Sequence, residues 1–138
     1  MIPTSIPNLI YYVLTLIRHT VAFTGASPGS IAAATALAVA TGNPAQIILI
    51  GRAQSKLDTV TAELREVGAT DVRTFVADFE SLASVRACAE AILADPRVSD
   101  TIDILVNSAH AAPRAYEKTD DGIERMFAVG HVSFSPWF

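Results

Sequence analysis

Four short apolar runs punctuate this chain, and between them the spacing of hydrophobic positions changes. "TVAF" (Thr20–Phe23), "QIILI" (Gln46–Ile50), "VRTFVA" (Val72–Ala77) and "IDILVN" (Ile102–Asn107) each read as a strand. The first two are apolar at nearly every position, the pattern of a strand covered on both faces. The segments between repeat at helical spacing instead: Leu57, Val60, Leu64 and Val67 in one, Leu82, Val85, Ala89 and Ile92 in the next. Gly68 closes the first of these helices, and the second stops before Pro96. Ser55-Lys56-Leu57-Asp58 reads as a capping box. A short helix-like segment begins near Asp121, with Asp120-Asp121 read as a helix cap.

Strands that alternate with amphipathic helices predict an α/β fold, a parallel sheet with helices on both faces. Right-handed crossovers make it a three-layer Rossmann-type sheet with strand order 3-2-1-4, truncated before a fifth strand. Residues 20–138 are expected to form this partial domain, and residues 1–19 an apolar extension. Within the extension, Ile6–Ile17 is a mostly apolar run broken by Pro7 and Asn8. A membrane span needs roughly 20 apolar residues, so the run is too short. Ile10, Val13, Leu14 and Ile17 share one helical face. Docking on the protein is favoured over contact with a membrane surface, because no basic residue precedes Arg18.

Composition narrows the classes. A chain of 138 residues with 51% apolar and 17% charged residues suits one folded domain rather than a disordered one. Net charge is −4 without a basic run, which argues against electrostatic capture of nucleic acid. The single Cys88 allows no internal disulfide and no cysteine-based zinc site, and a reducing, cytoplasmic setting is expected. Cys88 sits near an apolar stripe and reads as inert core. His19, His110 and His131 lack metal-ligand spacing, so no metal site is expected.

The chemistry lies in the turn "TGASPGSIAAATALA", Thr24–Ala38. Gly25 permits a sharp turn out of the first strand, and Gly29 lets backbone N–H groups approach a phosphate. Pro28 presets φ at a helix start, and Ser27 either caps the helix or bonds a phosphate oxygen. The helix N-terminus adds about half a positive charge. Ala33, Ala34, Ala36, Ala38 and Ala40 allow that helix close to the sheet. After the second strand there is no acid to accept from ribose hydroxyls. Arg52 and Lys56 stand there instead, cations suited to a 2′-phosphate. NADP(H) is therefore expected over NAD(H).

These residues together resemble the short-chain dehydrogenase/reductase family. "TGASPGSIA" is similar to its Thr-Gly-x-x-x-Gly-x-Gly turn, with one extra residue and Ala32 for the last glycine; without the extra residue, Ile31 takes that place. "GRAQSK" resembles the arginine segment of NADP-dependent members. "VADFESLASV" resembles the segment after the third strand. The resemblance implies that Asp78 bonds the adenine amino group and Phe79 lines the adenine pocket. "ILVNSAHA" resembles an Asn-Asn-Ala-Gly element, which Asn107 and Ala109 match while Ser108 and His110 do not. "TDDGIERMFAVGH" resembles Asp-Gly-x-Glu…Phe-x-Val-Asn-His, with Gly130 where the family has a supporting asparagine.

The resemblance implies carbonyl–alcohol oxidoreduction, which needs a proton donor such as the family's Tyr-x-x-x-Lys pair. That pattern is absent here: Tyr11, Tyr12 and Tyr116 have no lysine four residues on. No catalytic residue is assigned, and the chain alone is not expected to catalyse the reaction. The alternatives are a non-enzymatic dinucleotide sensor or interaction protein, one half of a split enzyme, or a truncated product. The Ile102–Asn107 strand would form an exposed edge, inviting self-association or a partner that adds a strand.

Overall fold

The computed structural model describes residues 18–98 and 100–137. The four apolar runs become β1 (Thr20–Thr24), β2 (Gln46–Gly51), β3 (Val72–Val76) and β4 (Ile104–Asn107). They form one parallel sheet in the order β3-β2-β1-β4, the order the sequence predicts. The helices are α1 (Ile31–Ala40), α2 (Gln54–Glu66), α3 (Leu82–Ala94) and α4 (Arg125–Gly130), followed by a 3-10 helix over Val132–Trp137. The apolar run at residues 6–17, expected to dock as a short helix, lies outside the described residues. Among the described residues, no helix is long and apolar enough to cross a membrane.

Every residue of β1 and β2 is buried, and their period of two divides the core. Val21, Phe23, Ile47 and Leu49 pack on Leu57, Val60 and Leu64 of α2 and on the alanines of α1. Ala22, Ile48 and Ile50 face the other way, onto Val85, Cys88 and Ile92 of α3 and Val129 of α4. Helices therefore cover both faces. In α1 the buried small residues are Ala32, Ala33, Ala36 and Ala40; Ala34 and Ala38 turn outward, since one helix face meets the sheet.

Several local readings shift for identifiable reasons. Strand β3 ends at Val76, and Ala77 donates its N–H to the Gly51 carbonyl as the chain leaves the sheet. Strand β4 begins at Ile104 rather than Ile102, because the Asp103 carboxylate takes the Thr20 N–H at 2.7 Å. The capping box at Ser55 does not form. Helix α2 starts at Gln54 with Ala53 at its N-cap, so Ser55 is already inside the first turn, and Asp58 accepts from the Gln54 side chain. Asp121 does cap a helix, but a distant one: its carboxylate accepts the Leu82 N–H at 2.8 Å, beside the Ser81 cap of α3. Helix α4 is capped by Glu124, which accepts from Met126 and Phe127. The closing 3-10 helix packs on α3 and α4, with Phe134 against the core, rather than alongside β4.

One crossing fixes the upper end of the sheet. Thr24 is fully buried, and its hydroxyl accepts the N–H groups of Ser108 and Ala109 at 3.0 and 3.2 Å. That draws the chain after β4 across Gly25. A Cβ on Gly25 would lie 2.7 Å from the Ala109 Cα, and Gly25 also has φ +75°. Both contact and conformation exclude a side chain there. Gly25→Ala is expected to lower stability by about 2–5 kcal/mol, combining left-handed strain with overpacking. A urea titration checks this; a loss below about 1 kcal/mol would mean the crossing is loose.

Candidate dinucleotide site

The carboxyl ends of all four strands open onto one cavity of about 450 Å3. It lies where the chain leaves β1 for β2 on one side while β4 pairs on the other, the switch point at which open α/β sheets receive ligands. Of the residues singled out from sequence, Gly25, Ser27, Ile31, Arg52, Lys56, Asp78, Phe79 and Ala109 line this cavity. Gly29 and Asn107 do not.

The turn before α1 is built around Ser30, not Ser27. Ser30 is the N-cap, and its hydroxyl accepts from the N–H groups of Ala33 and Ser27, each at 3.1 Å. Ser27 and Pro28 belong to the turn that precedes the cap, so Pro28 is not at the helix start. Gly29 has φ +74°, and a Cβ there would meet nothing within 4 Å. Its requirement is thus conformational rather than one of crowding within the chain. The two candidates for the family's last glycine separate cleanly. Ala32 is fully buried in the contact between α1 and the sheet, whereas Ile31 is 75% exposed and overhangs the cavity. The first-turn N–H groups at Ile31 and Ala32 have no carbonyl four residues back within the helix. They leave the positive end of α1 at the cavity wall.

The opposite wall carries charge. Arg52 follows β2 directly and is largely exposed, and Lys56 stands in the first turn of α2. From the end of β3, the Asp78 N–H donates to the Ser84 hydroxyl, and Asp78 accepts the Glu80 N–H. Phe79 is buried and turns part of its surface to the cavity. Glu80 lies 3.5 Å from Arg52 and 3.0 Å from Arg125, which also pairs with Glu117. Beyond β4, Ala109 is pinned by Thr24, and the exposed His110 places Nδ1 3.4 Å from the Ser108 carbonyl. Gly130 ends α4, exposed and away from the lining. Cys88 is buried away from the site, and burial pushes its thiol up to about 11.

Ser30, Glu80 and Arg125 were not singled out from sequence. For Ser30 a signal existed: it stands immediately before the apolar helix, the usual place of an N-cap. No local pattern marks Glu80 or Arg125, since an ion pair between residues 45 apart in sequence follows from tertiary contact. The cavity fits a dinucleotide. It joins a helix N-terminus for phosphate, an apolar wall at Phe79, an acid at Asp78 and cations at Arg52 and Lys56, within the usual volume of ligand sites.

Comparison with known proteins agrees with this geometry. Residues 19–135 match the family model for short chain dehydrogenase. A Streptomyces protein designated a daunorubicin C-13 ketoreductase, DnrU, is 35% identical over 118 residues, covering 83% of this chain and 38% of its own. Mouse retinol dehydrogenase 14 is 34% identical over 125 residues, covering 82% of this chain and 36% of its own. The chain thus spans somewhat over a third of the length of these relatives. Among solved structures, a short-chain dehydrogenase from Sphingobium yanoikuyae in complex with NADPH superposes with TM-score 0.66 at 28% identity, covering 86% of this chain and 44% of that one. The chain belongs to the short-chain dehydrogenase family, which binds a nicotinamide dinucleotide.

Proposed function

We propose that this chain is the NADP(H)-binding part of an oxidoreductase that interconverts a carbonyl and an alcohol. The observation that carries the cofactor preference is the joint placement of Arg52 and Lys56 on the cavity with no acid at the end of β2. The N-terminus of α1 would receive the pyrophosphate, Asp78 and Phe79 the adenine, and Arg52 with Lys56 a ribose 2′-phosphate. Ala109 and the backbone after β4 would bound the nicotinamide side. When bound, the cofactor supplies or accepts a hydride. The carbonyl–alcohol class is supported by the names of the ketoreductase and retinol dehydrogenase relatives.

Catalysis is not assigned to this chain's own residues. A carbonyl oxygen that receives hydride also needs a proton, and no Tyr-x-x-x-Lys pair occurs in the sequence. The chain by itself is therefore proposed to bind without turnover. The same binding geometry would serve a dinucleotide sensor or one half of a split enzyme.

A titration of the full chain with NADPH and NADH tests the cofactor reading. NADPH is expected to bind more tightly, and Arg52→Ala to weaken NADPH by about 1–2 kcal/mol while leaving NADH nearly unchanged. The range is that of a charge-assisted phosphate contact discounted for exposure. Equal affinities in the unmodified chain would overturn the preference.

The outer edge of β4 supports a second reading, for partners. Among the described residues no strand pairs with that edge. Asp103 donates its N–H toward Thr20 of β1, so by alternation the N–H groups of Ile104 and Val106 point away from the sheet. The strand contains neither lysine nor proline to blunt it. Self-association or addition of a partner strand is proposed here. Sedimentation is expected to show concentration-dependent association, with the Ile104 and Val106 amides exchanging freely in the dilute chain. A monomer at all concentrations with those amides protected would refute it.

A further inference from the structure

The cation after β2 does not stand alone, because a carboxylate from the neighbouring strand end already reaches it. Glu80 follows Phe79, and its side chain is 23% exposed. Its Oε1 lies 3.5 Å from Arg52 Nη1, and its Oε2 lies 3.0 Å from Arg125 Nη2. The Glu80 backbone is held as well, its N–H donating to Asp78 Oδ1 at 3.0 Å. Arg125 projects from the start of α4 and is itself braced by the Glu117 carboxylate. The acid is thus fixed by its main chain at one end and by Arg125 at the other. Arg52, with 68% of its side chain exposed, is the most exposed member of the trio.

We propose that Glu80 is a specificity-determining residue of this site, a carboxylate that competes with a ribose 2′-phosphate for Arg52 and narrows the preference for the phosphorylated dinucleotide. The inference rests on the reading of Arg52 as the 2′-phosphate partner. A phosphate monoester carries nearly two negative charges at neutral pH. To engage Arg52 it must enter beside a fixed negative charge and displace part of an existing ion pair. Exposed ion pairs are weak, so the handicap is modest and the phosphate still wins. Arg125 limits the handicap by holding the Glu80 head group toward α4 and sharing its charge. An unphosphorylated ribose does not call on Arg52 as a charge partner, and its binding does not depend on that competition.

The test uses probes that report on the adenosine end alone: adenosine 2′,5′-bisphosphate and adenosine 5′-monophosphate, titrated against the full chain by calorimetry. Glu80→Gln keeps the size and removes the charge. It is expected to tighten the bisphosphate by about three- to tenfold and the monophosphate by less than about twofold, a range set by a partly exposed charge pair. In an Arg52→Ala background the bisphosphate gain is expected to fall to about twofold or less. If thermal melting shows that Glu80→Gln does not fold, Glu80→Asp replaces it; that change keeps the charge but withdraws it by one methylene, and an intermediate gain is expected. Equal tightening of both nucleotides, no tightening, or a gain that persists in full without Arg52 would each overturn the role of Glu80. An unmodified chain that binds the two nucleotides equally would overturn the reading of Arg52 and this inference with it. A clear bisphosphate preference that Glu80→Gln leaves unchanged would overturn this inference alone.

Discussion

The backbone of Gly25 passes against the backbone of Ala109, and the geometry of the cavity depends on that contact. Thr24 enforces it from inside the sheet, where its buried hydroxyl accepts two N–H groups from the segment after β4. The Ala109 N–H would otherwise be buried without a partner, at a cost of about 1–3 kcal/mol. Gly25 then turns with positive φ, and its own N–H reaches the Ile50 carbonyl at 2.8 Å. Three strand ends, those of β1, β2 and β4, are thereby locked together within a few residues. The cavity exists because the chain leaves this lock in different directions: into α1 from β1, into α2 from β2, and into the His110 loop from β4.

Charge around the cavity is distributed according to the strand that delivers it. The turn after β1 brings no charged side chain and relies on backbone N–H groups and the dipole of α1, a field suited to a shared phosphate bridge. The end of β2 brings cations, and the end of β3 brings two acids with an aromatic residue between them. Because β3 lies beside β2, the acids and cations face each other, and Glu80 meets Arg52. Under the role proposed for Arg52, a preference for one dinucleotide over another is a difference between competing contacts rather than the property of a single arginine.

The core explains why so short a sheet holds its form. β1 and β2 are central and buried on both faces, so each contributes side chains to two packed layers. The edge strands β3 and β4 are only partly buried. α1 contributes mainly alanines, and its closeness to the sheet replaces side-chain volume with backbone proximity. Cys88 behaves as a small apolar residue in that core, its thiol kept neutral by burial.

The sequence by itself determined the fold class, the strand order and part of the cavity wall. Continuous apolar runs and helical periodicity are local records of burial, and the handedness of crossovers leaves few ways to assemble them. Gly25, Arg52, Asp78 and Phe79 were legible because each sits at a strand end, a position that the periodicity already locates. The tertiary structure alone decided which polar group answers which. Asp121 caps a helix that begins 39 residues earlier rather than its own, and Asp103 takes an N–H from β1 and so delays the start of β4. Ser30 rather than Ser27 caps α1, because the turn through Gly29 uses up the residues between them. Glu80 and Arg125 come together only when Val129 of α4 joins the buried cluster that also holds Phe79. Hydrophobic burial is non-directional and leaves a periodic trace along the chain, whereas hydrogen bonds and ion pairs are directional and settle on whichever partner the packed core brings within reach.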